Sequence, residues 1–259
     1  MIFYFTGTGN TYAAAMELEM RLEDRLYSIA DCMKKNEFHF SPEEDEPVGI
    51  LCPVYYGGLP SIVTSFLSRL RFDRKPDYLY GLLTYGGYPG GAAGVLRQRL
   101  REIGLEIDAA WMLKMPANYA ILYEPTSQEA EEAIFEKAEV RMEQIIKEIQ
   151  DRHHEGVVWN SAERIATAVM QTMYERARKT APFYTDDQCV SCGACANRCP
   201  VQAIEMIDGT PTWVKDTCVF CMSCVRCGAI QYGDKLKGRY RYKHPVFRKK
   251  KTDSNAHCH

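Results

Sequence analysis

Short apolar runs alternate with amphipathic stretches through the first 120 residues of the chain. The apolar runs predict five β-strands, and apolar residues at helical spacing predict a helix after the first, the third and the fourth of them. Strands that alternate with helices favour a parallel sheet with both faces covered. The predicted strands cover residues 2–5, 26–29, 48–54, 78–84 and 109–114, and the predicted helices cover residues 10–23, 61–70 and 94–103.

From residue 126 onward the pattern is that of helix without strand. A capping-box sequence at 126–129 precedes apolar residues that recur at helical spacing as far as Ile149. A second helix can be capped at Asn160 to Glu163 and is expected to extend to about Lys179. Both amphipathic helices are predicted to pack on the sheet or to bridge to a following domain.

Five predicted strands within the first 120 residues match the smaller doubly wound arrangement, which has the flavodoxin-like strand order. The expected fold class is therefore α/β, with a flavodoxin-like, doubly wound, five-stranded parallel sheet and a small C-terminal α+β domain. In that C-terminal domain, Asp208-Gly209 predicts a hairpin turn. The expected segments are an α/β domain at 1–125, a helical extension at 126–180, a cysteine-rich domain at 181–234 and a basic tail at 235–259.

The composition is that of a chain that buries a substantial core. Hydrophobic residues make up 46% of the 259 residues, which is ordinary for a globular protein. No apolar run reaches eighteen residues, so no transmembrane helix is predicted. The first residues lack the basic and small-residue regions of a signal peptide, and a cytoplasmic location is therefore expected.

The cysteines indicate a metal centre. Eight of the eleven lie within residues 189–227, and disulfides are not expected in a reducing compartment. The first group has the spacing C-x2-C-x2-C-x3-C-P, in which three close thiolates can wrap one corner of an iron–sulfur cubane. Zinc sites more often use two separated C-x2-C pairs, so zinc stays the alternative to iron–sulfur. The predicted metal ligands are Cys189, Cys192, Cys195, Cys199, Cys218, Cys221, Cys224 and Cys227.

The two cysteine groups together resemble a bacterial-type ferredoxin domain with two 4Fe–4S clusters, a family that carries single electrons. The resemblance implies a two-cluster ferredoxin-like fold with crossed ligation, because the fourth cysteine of one group binds the other cluster. The second group closes one residue early and lacks the family's proline, which puts the ligand Cys227 in question. One intact cluster beside a labile one is the alternative to two clusters. Crossed ligation would assign one cluster to Cys189, Cys192, Cys195 and Cys227, and the other to Cys218, Cys221, Cys224 and Cys199.

A loop rich in glycine and hydroxyl groups, at residues 6–11, joins the first predicted strand to the first helix. Backbone N–H groups and hydroxyls at a helix N-terminus suit a phosphate group. The loop lacks the lysine of a P-loop, and Tyr12 stands where a dinucleotide fingerprint needs a small residue. The loop resembles the phosphate loop of flavodoxins, whose pattern Thr/Ser-x-Thr-Gly-x-Thr is met by Thr6, Thr8, Gly9 and Thr11.

Two further loops, at 53–58 and 84–88, are expected beside the first one at the carboxyl edge of the sheet. Flavodoxin-like proteins use these loops to hold the isoalloxazine ring, so the resemblance implies FMN, with a tyrosine of each loop as an aromatic platform. Each tyrosine alone fits equally well as a half-buried loop anchor. The predicted cofactor-binding residues are Thr6, Gly7, Thr8, Gly9, Asn10, Thr11, Pro53, Val54, Tyr55, Tyr56, Gly57, Gly58, Thr84, Tyr85, Gly86, Gly87 and Tyr88.

The complete pattern is similar to flavodoxin–ferredoxin fusion proteins of anaerobic microbes, which implies FMN and two 4Fe–4S clusters in one chain. The leading hypothesis is electron transfer between these cofactors, with a ferredoxin or an oxidoreductase as redox partner. The alternative is a ferredoxin-coupled reductase that passes hydride from FMN to a quinone, a nitro compound or an activated alkene. No motif predicts a catalytic residue of the chain itself.

Charge is distributed unevenly along the chain. The net charge is −2, but residues 235–251 contain nine Lys or Arg and no acid, whereas the 234 residues before them contain 23 basic and 33 acidic side chains. The tail from residue 234 onward is predicted to be partly disordered, either simply solvated or steering acidic redox partners. Because its aromatic and basic residues interleave, a redox-sensing nucleic-acid binder is a third hypothesis.

Overall fold

A computed structural model describes residues 1–157 and 159–247 of the chain. Its strands are β1 (Ile2–Tyr4), β2 (Leu26–Ser28), β3 (His39–Phe40), β4 (Val48–Pro53), β5 (Arg71–Phe72), β6 (Leu79–Tyr85), β7 (Ala109–Lys114), β8 (Phe183–Thr185), β9 (Ile204–Ile207), β10 (Thr210–Trp213) and β11 (Ile230–Tyr232). Its α-helices are α1 (Asn10–Leu22), α2 (Ile29–Lys35), α3 (Ser61–Arg69), α4 (Ala92–Arg101), α5 (Gln128–Gln150), α6 (Ser161–Ala177) and α7 (Ala194–Arg198). Short 3-10 helices cover Cys224–Cys227 and Pro245–Phe247.

Five of these strands form the central parallel sheet in the order β2-β1-β4-β6-β7. Counted among themselves these strands have the order 2-1-3-4-5, which confirms the flavodoxin-like doubly wound fold. The central strand β4 is buried along nearly its whole length, because helices cover both faces of the sheet. Helix α2 and the two-stranded parallel pair β3–β5 were not predicted, since both are very short.

The two faces of the sheet are covered by different helices. Helices α2, α3 and α4 lie on one face, where side chains such as Phe66 and Leu96 are fully buried against the strands. Helices α1 and α5 lie on the other, where Leu18, Ile145 and Ile146 are buried. Helix α5 therefore packs on the sheet, and its N-terminus is capped by Ser127 within the predicted capping segment.

The cysteine-rich domain is built from two small antiparallel sheets, β8–β11 and β9–β10. The turn between β9 and β10 has positive φ angles at Asp208 (49°) and Gly209 (76°), the signature of the tight hairpin that the sequence predicted. A short helix follows the start of each cysteine group. These features confirm the expected α+β fold of the C-terminal domain.

Helix α6 joins the two domains. It begins with a complete capping box between Asn160 and Glu163, as the sequence predicted. Near its end, the Tyr174 hydroxyl donates a hydrogen bond to the backbone oxygen of Val219 (2.9 Å), and Arg178 donates to the backbone oxygen of Cys218 (2.9 Å). The helix thereby ties the cysteine-rich domain to the edge of the sheet.

The segment after β11 is packed against the body of the protein as far as residue 247. Leu236 and Tyr242 are buried, and the Tyr242 hydroxyl is hydrogen-bonded to Asn10 at the start of α1. The rest of the expected disordered tail, residues 248–259, lies outside the described residues. Within the described part of the chain, no helix has the length and apolar character required to cross a bilayer. The expected cytoplasmic location stays a prediction.

Candidate functional site

The three predicted loops meet at the carboxyl edge of the sheet and line one cavity of about 240 Å³. Gly9 and Gly58 are the two predicted residues that do not line it. Gly9 is covered instead by His244 and Phe247, and Gly58 abuts Gln171 of α6. The predicted residues that do line the cavity are Thr6, Gly7, Thr8, Asn10, Thr11, Pro53, Val54, Tyr55, Tyr56, Gly57, Thr84, Tyr85, Gly86, Gly87 and Tyr88.

The first loop has the chemistry of an anion site without a cation. The N–H groups of the first turn of α1 have no acceptors within the helix, and its N-cap residue, Gly9, offers no side-chain acceptor. Two hydrogen bonds stabilise the loop. Gly9 N–H donates to Thr6 Oγ1 (3.1 Å), and the hydroxyls of Thr11 and Thr84 are hydrogen-bonded to each other (2.7 Å). Among the described residues, none that lines the cavity carries a positive charge. A phosphate group fits this arrangement.

The second loop holds an aromatic side chain in a strained backbone conformation. Tyr56 and Gly57 both have positive φ (50° and 70°), in a turn closed by two hydrogen bonds between Tyr55 and Gly58 (2.9 and 3.0 Å). A positive φ is costly for a tyrosine, so the surrounding contacts must maintain it. Gln171 of α6 does so, since its side-chain amide donates to the backbone oxygens of Tyr55 (2.8 Å) and Tyr56 (3.3 Å).

Tyrosines surround the second loop. The hydroxyls of Tyr56 and Tyr119 are hydrogen-bonded (3.0 Å), and the Tyr56 ring also lies against that of Tyr174 (5.6 Å between centroids). Burial raises the pKa of Tyr119 well above its usual range, and raises that of Tyr174 to about 12. These phenols are neutral at physiological pH. The wall they form is aromatic and uncharged, which suits the face of a flat ring system.

The structure adds residues to the cavity that the sequence did not assign to it. The segment after β7 was not assigned to the site, although the carboxyl-edge rule places it there. The residues from α6 and from the second cysteine group had no local signal, since they are brought in only by the tertiary fold. The added residues are Pro116, Ala117, Asn118, Tyr119, Leu122, Tyr123, Met170, Tyr174, Phe220, Cys221 and Met222.

Cys221 belongs both to the cavity wall and to the second cysteine group. The loop that carries it lies directly on the first loop, because a Cβ added at Gly7 would overlap the backbone oxygen of Cys221. Phe220 and Met222, on either side, have positive φ (57° and 59°), which tightens the backbone around the thiol. Cys221 and Val219 also form part of the hydrophobic core beneath the sheet. The cysteine-rich domain is therefore embedded in the wall of the cavity.

The eight predicted cysteine ligands lie in the same small domain and form two neighbourhoods. Burial raises the pKa of Cys221 to about 12, and the thiols of Cys218 and Cys199 add to the effect. The pKa of Cys195 is also raised by burial, with smaller contributions from Cys227 and Cys192. Cys199 of the first group thus lies near Cys218 and Cys221, and Cys227 of the second group lies near Cys195, while the crossed assignment itself stays a prediction. Cys189 and Cys224, the remaining two, are each partly exposed.

The sulfur atoms of Cys199 and Cys218 also accept backbone hydrogen bonds. Ala203 N–H donates to Cys199 Sγ (3.2 Å), and Phe220 N–H donates to Cys218 Sγ (3.4 Å). Such donors stabilise the charge of thiolate ligands in iron–sulfur proteins. In the described residues, no three Cys, His, Asp or Glu side chains are gathered as they would be around one metal ion. A cubane needs a wider spacing, because each of its four irons takes one thiolate.

Tyr174→Phe is expected to destabilise the protein by about 1–2 kcal/mol, because it leaves the buried backbone oxygen of Val219 without its donor. Thr172→Ala is the matched control. It removes a hydroxyl that bonds only to its own helix at an exposed position, and should change the free energy of unfolding by less than about 0.5 kcal/mol. Denaturant unfolding of cofactor-loaded protein measures both. Equal effects would contradict the bridging role of Tyr174.

Comparison with known proteins identifies the two domains separately. Residues 1–83 match the family described as "Flavodoxin domain", and residues 182–205 match the family described as "4Fe-4S binding domain". No curated protein matches the chain.

Three solved structures illustrate the similarity of the first domain. A flavodoxin of Fusobacterium nucleatum bound to flavin mononucleotide is 14% identical, with 58% of this chain and 95% of that chain covered and a TM-score of 0.35. A flavoprotein of Lactobacillus acidophilus in complex with FMN is 13% identical, with 43% and 90% covered and a TM-score of 0.31. Rubredoxin oxygen:oxidoreductase of Desulfovibrio gigas is 16% identical, with 58% and 36% covered and a TM-score of 0.35.

The chain therefore combines a flavodoxin domain at its N-terminal end with a 4Fe–4S binding domain nearer its C-terminal end. The first implies FMN, and the second implies at least one 4Fe–4S cluster. Both are electron-transfer domains, so the chain is an electron-transfer protein of the flavin and iron–sulfur type.

Proposed function

We propose that this protein transfers electrons internally, between FMN bound in the three-loop cavity and two 4Fe–4S clusters bound by the eight cysteines. One observation carries the proposal. Cys221, a predicted cluster ligand, is at the same time part of the cavity wall. A cluster held by this thiol would lie beside the bound flavin, with no other domain of the protein between them.

The residues present fit both cofactors. The N-terminus of α1 and the first loop would hold the FMN phosphate, and the tyrosines of the 53–58 and 84–88 loops would lie along its ring. Cys199, Cys218, Cys221 and Cys224 would hold the cluster nearer the flavin, and Cys189, Cys192, Cys195 and Cys227 the other. FMN exchanges one or two electrons and a cluster exchanges one, so their combination links hydride chemistry to single-electron traffic.

The polypeptide itself would fix the spacing between the two sites. The backbone of Gly7 packs closely against that of Cys221, where the first loop meets the second cysteine group. Helix α6 contacts both sites, since Gln171 donates a hydrogen bond to the loop at 53–58 and Tyr174 donates one to Val219 beside the second cysteine group. A fixed contact of this kind favours electron transfer within the chain, because it keeps the two cofactor sites close together and at a constant separation.

Protein purified without oxygen is expected to contain one FMN, about eight irons and about eight acid-labile sulfides per chain. Reduction should produce EPR signals of two interacting clusters. Flavin, iron and sulfide analysis together with EPR measures this directly. About four irons would reduce the proposal to one cluster. Zinc in place of iron, or an absence of flavin, would overturn it.

A second candidate is the reductase of a small organic acceptor, favoured by the open mouth of the cavity. Tyr88 (65% exposed), Leu122 (61%) and Tyr123 form an apolar rim there, which would let a flat apolar molecule approach the bound flavin. Anaerobic turnover with reduced ferredoxin and a panel of quinones, nitro compounds and activated alkenes separates the two functions. Sustained turnover with an acceptor favours the reductase, whereas its absence favours the carrier.

Partners are proposed to be redox proteins such as a ferredoxin or an oxidoreductase. We do not propose nucleic-acid binding, because the basic and aromatic residues in the described part of the tail make contacts within the protein. Arg239 donates to the backbone oxygen of Ala120 (2.5 Å), Arg241 donates to Gln231 (3.0 Å), and Tyr242 is buried. The basic run at 248–251 lies outside the described residues.

A further inference from the structure

Arg226 is a partly buried cationic side chain of the cysteine-rich domain. It lies in the short 3-10 helix Cys224–Cys227, between two predicted cluster ligands. Its Nε and Nη1 atoms are inaccessible to solvent and have no hydrogen-bond partner among the described residues. Five N–H groups in a fixed planar array make a guanidinium a strong donor, and burying it without an acceptor is costly. A missing anionic partner is the simplest explanation.

The groups of opposite charge nearest to Arg226 are the predicted ligands themselves. Cys221, Cys224 and Cys227 are the groups whose charge would stabilise its protonated form. An arginine guanidinium keeps its proton at neutral pH, even when it is partly buried. The charge is therefore permanent, and it stands beside the cysteine group that reaches the flavin cavity.

The aromatic ring of Phe247, in the C-terminal segment, packs against the Arg226 side chain. The guanidinium carbon of Arg226 lies 4.6 Å from the ring centroid of Phe247. That ring is stacked on Tyr12 (5.7 Å, 12° between planes), next to the phosphate loop. The segment is fixed in turn by a hydrogen bond from His244 N–H to the backbone oxygen of Thr8 (2.8 Å). The guanidinium is thus packed from one side and left with donors free on the other.

We infer that Arg226 raises the reduction potential of the cluster beside the flavin. Its guanidinium donates hydrogen bonds to the cluster and its thiolates, and places a positive charge beside them. The inference rests on the proposed function. Reduction adds one electron, and so one negative charge, to the cluster, while the guanidinium neither gains nor loses a proton and no bond is formed or broken. Arg226 therefore stabilises the reduced form more than the oxidised form and raises the potential.

The expected size follows from Coulomb's law. Two unit charges about 10 Å apart, at an effective dielectric constant of about 20, interact by about three times the thermal energy. Removing the cation should therefore lower the ratio of reduced to oxidised cluster roughly fifteenfold at a fixed potential, a shift of about 70 mV for a one-electron couple at about 59 mV per tenfold change. The shift is toward more negative potential and should affect one of the two clusters more than the other.

The test is a redox titration followed by EPR, with the complete cofactor-loaded protein at fixed pH and ionic strength. Arg226→Gln should give the negative shift, and Arg226→Lys, which keeps the charge, should restore most of the original potential. Lys237→Gln is the matched control. It removes one positive charge just beyond the cysteine-rich domain, at an exposed position where solvent screens it, and should leave both potentials unchanged.

The outcomes separate this inference from the proposed function. Wild-type protein that lacks iron–sulfur clusters or lacks FMN overturns the proposed function before any variant is made. Loaded variants with unchanged cluster potentials, or with weakened FMN binding alone, overturn the role of Arg226 and leave the function standing. If Arg226→Gln does not assemble its clusters, Arg226→Met is used, since it keeps the apolar stem. Loss of clusters in both neutral variants but not in Arg226→Lys supports a role for the positive charge at this position. Loss of clusters in all three variants overturns that role.

Discussion

Cys221→Ser is expected to remove the cluster nearest the flavin, leaving about four of about eight irons, and to change the flavin site at the same time. Both effects follow from one position, because Cys221 is a predicted ligand and also lines the cavity. Electrons supplied by a reduced ferredoxin should then reach FMN far more slowly than in the wild type. Iron analysis, the visible spectrum of bound FMN and stopped-flow reduction under anaerobic conditions measure the three consequences.

Cys192→Ser is the matched control for this experiment. Cys192 is an exposed member of the first cysteine group and does not line the cavity, so its loss should remove a similar amount of iron. The flavin spectrum should then stay that of the wild type, since the contact between the first loop and Cys221 is untouched. Equal disturbance of the flavin by both variants would show that the effect of Cys221→Ser reports general damage to the domain. The proposed path would then lose its main support.

The sheet could be predicted from the sequence because its signals are local. Buried parallel strands such as β4 and β6 are continuous apolar runs, and each helix that covers them has apolar residues at its own period. The hairpin at Asp208-Gly209 and the capping box at Asn160 were equally readable, because a few adjacent residues determine each of them. The order of the five strands then follows from the general rule for small doubly wound sheets.

The relation between the two halves of the site could not be predicted in this way. More than 200 residues separate Gly7 from Cys221, and no periodicity or motif states that their backbones touch. Tyr119 and Tyr174 were missed for the same reason, since each enters the cavity through the packing of a whole segment. Arg226 gave no signal, because an arginine between two cysteines is unremarkable until its buried atoms are found to lack acceptors.

The packed C-terminal segment shows how composition alone can mislead. A run of basic and aromatic residues is typical of a solvated tail, yet Leu236 and Tyr242 are buried and His244 bonds to the phosphate loop. The aromatic residues are responsible, since burial of their rings offsets the cost of ordering the chain around them. The segment connects the cysteine-rich domain to the loop at the start of α1, so the two cofactor sites share a further physical link besides Cys221 and helix α6.

Gly7→Ala is expected to weaken FMN binding and loosen the domain contact, although it adds only one methyl group. The new Cβ would overlap the backbone oxygen of Cys221, which cannot move aside as the end of a flexible side chain could. Overpacking of this kind costs about 1–3 kcal/mol. If the loop gives way, that cost corresponds to a loss of roughly five- to 150-fold in affinity for FMN. Fluorescence titration of the flavin-free protein with FMN measures the affinity.

Gly87→Ala supplies the comparison, because the same methyl group at that position would meet nothing within 4 Å. Gly87 also lines the cavity, so a general sensitivity of the loops to alanine would appear in both variants. We expect FMN affinity to change by less than about threefold in Gly87→Ala, equivalent to about 0.6 kcal/mol. Wild-type affinity and unchanged iron content in Gly7→Ala would mean that the first loop and the second cysteine group do not touch. In that case Cys221 could not serve as the contact between the flavin and a cluster, because the separation would admit solvent and the electron path would have to lie elsewhere.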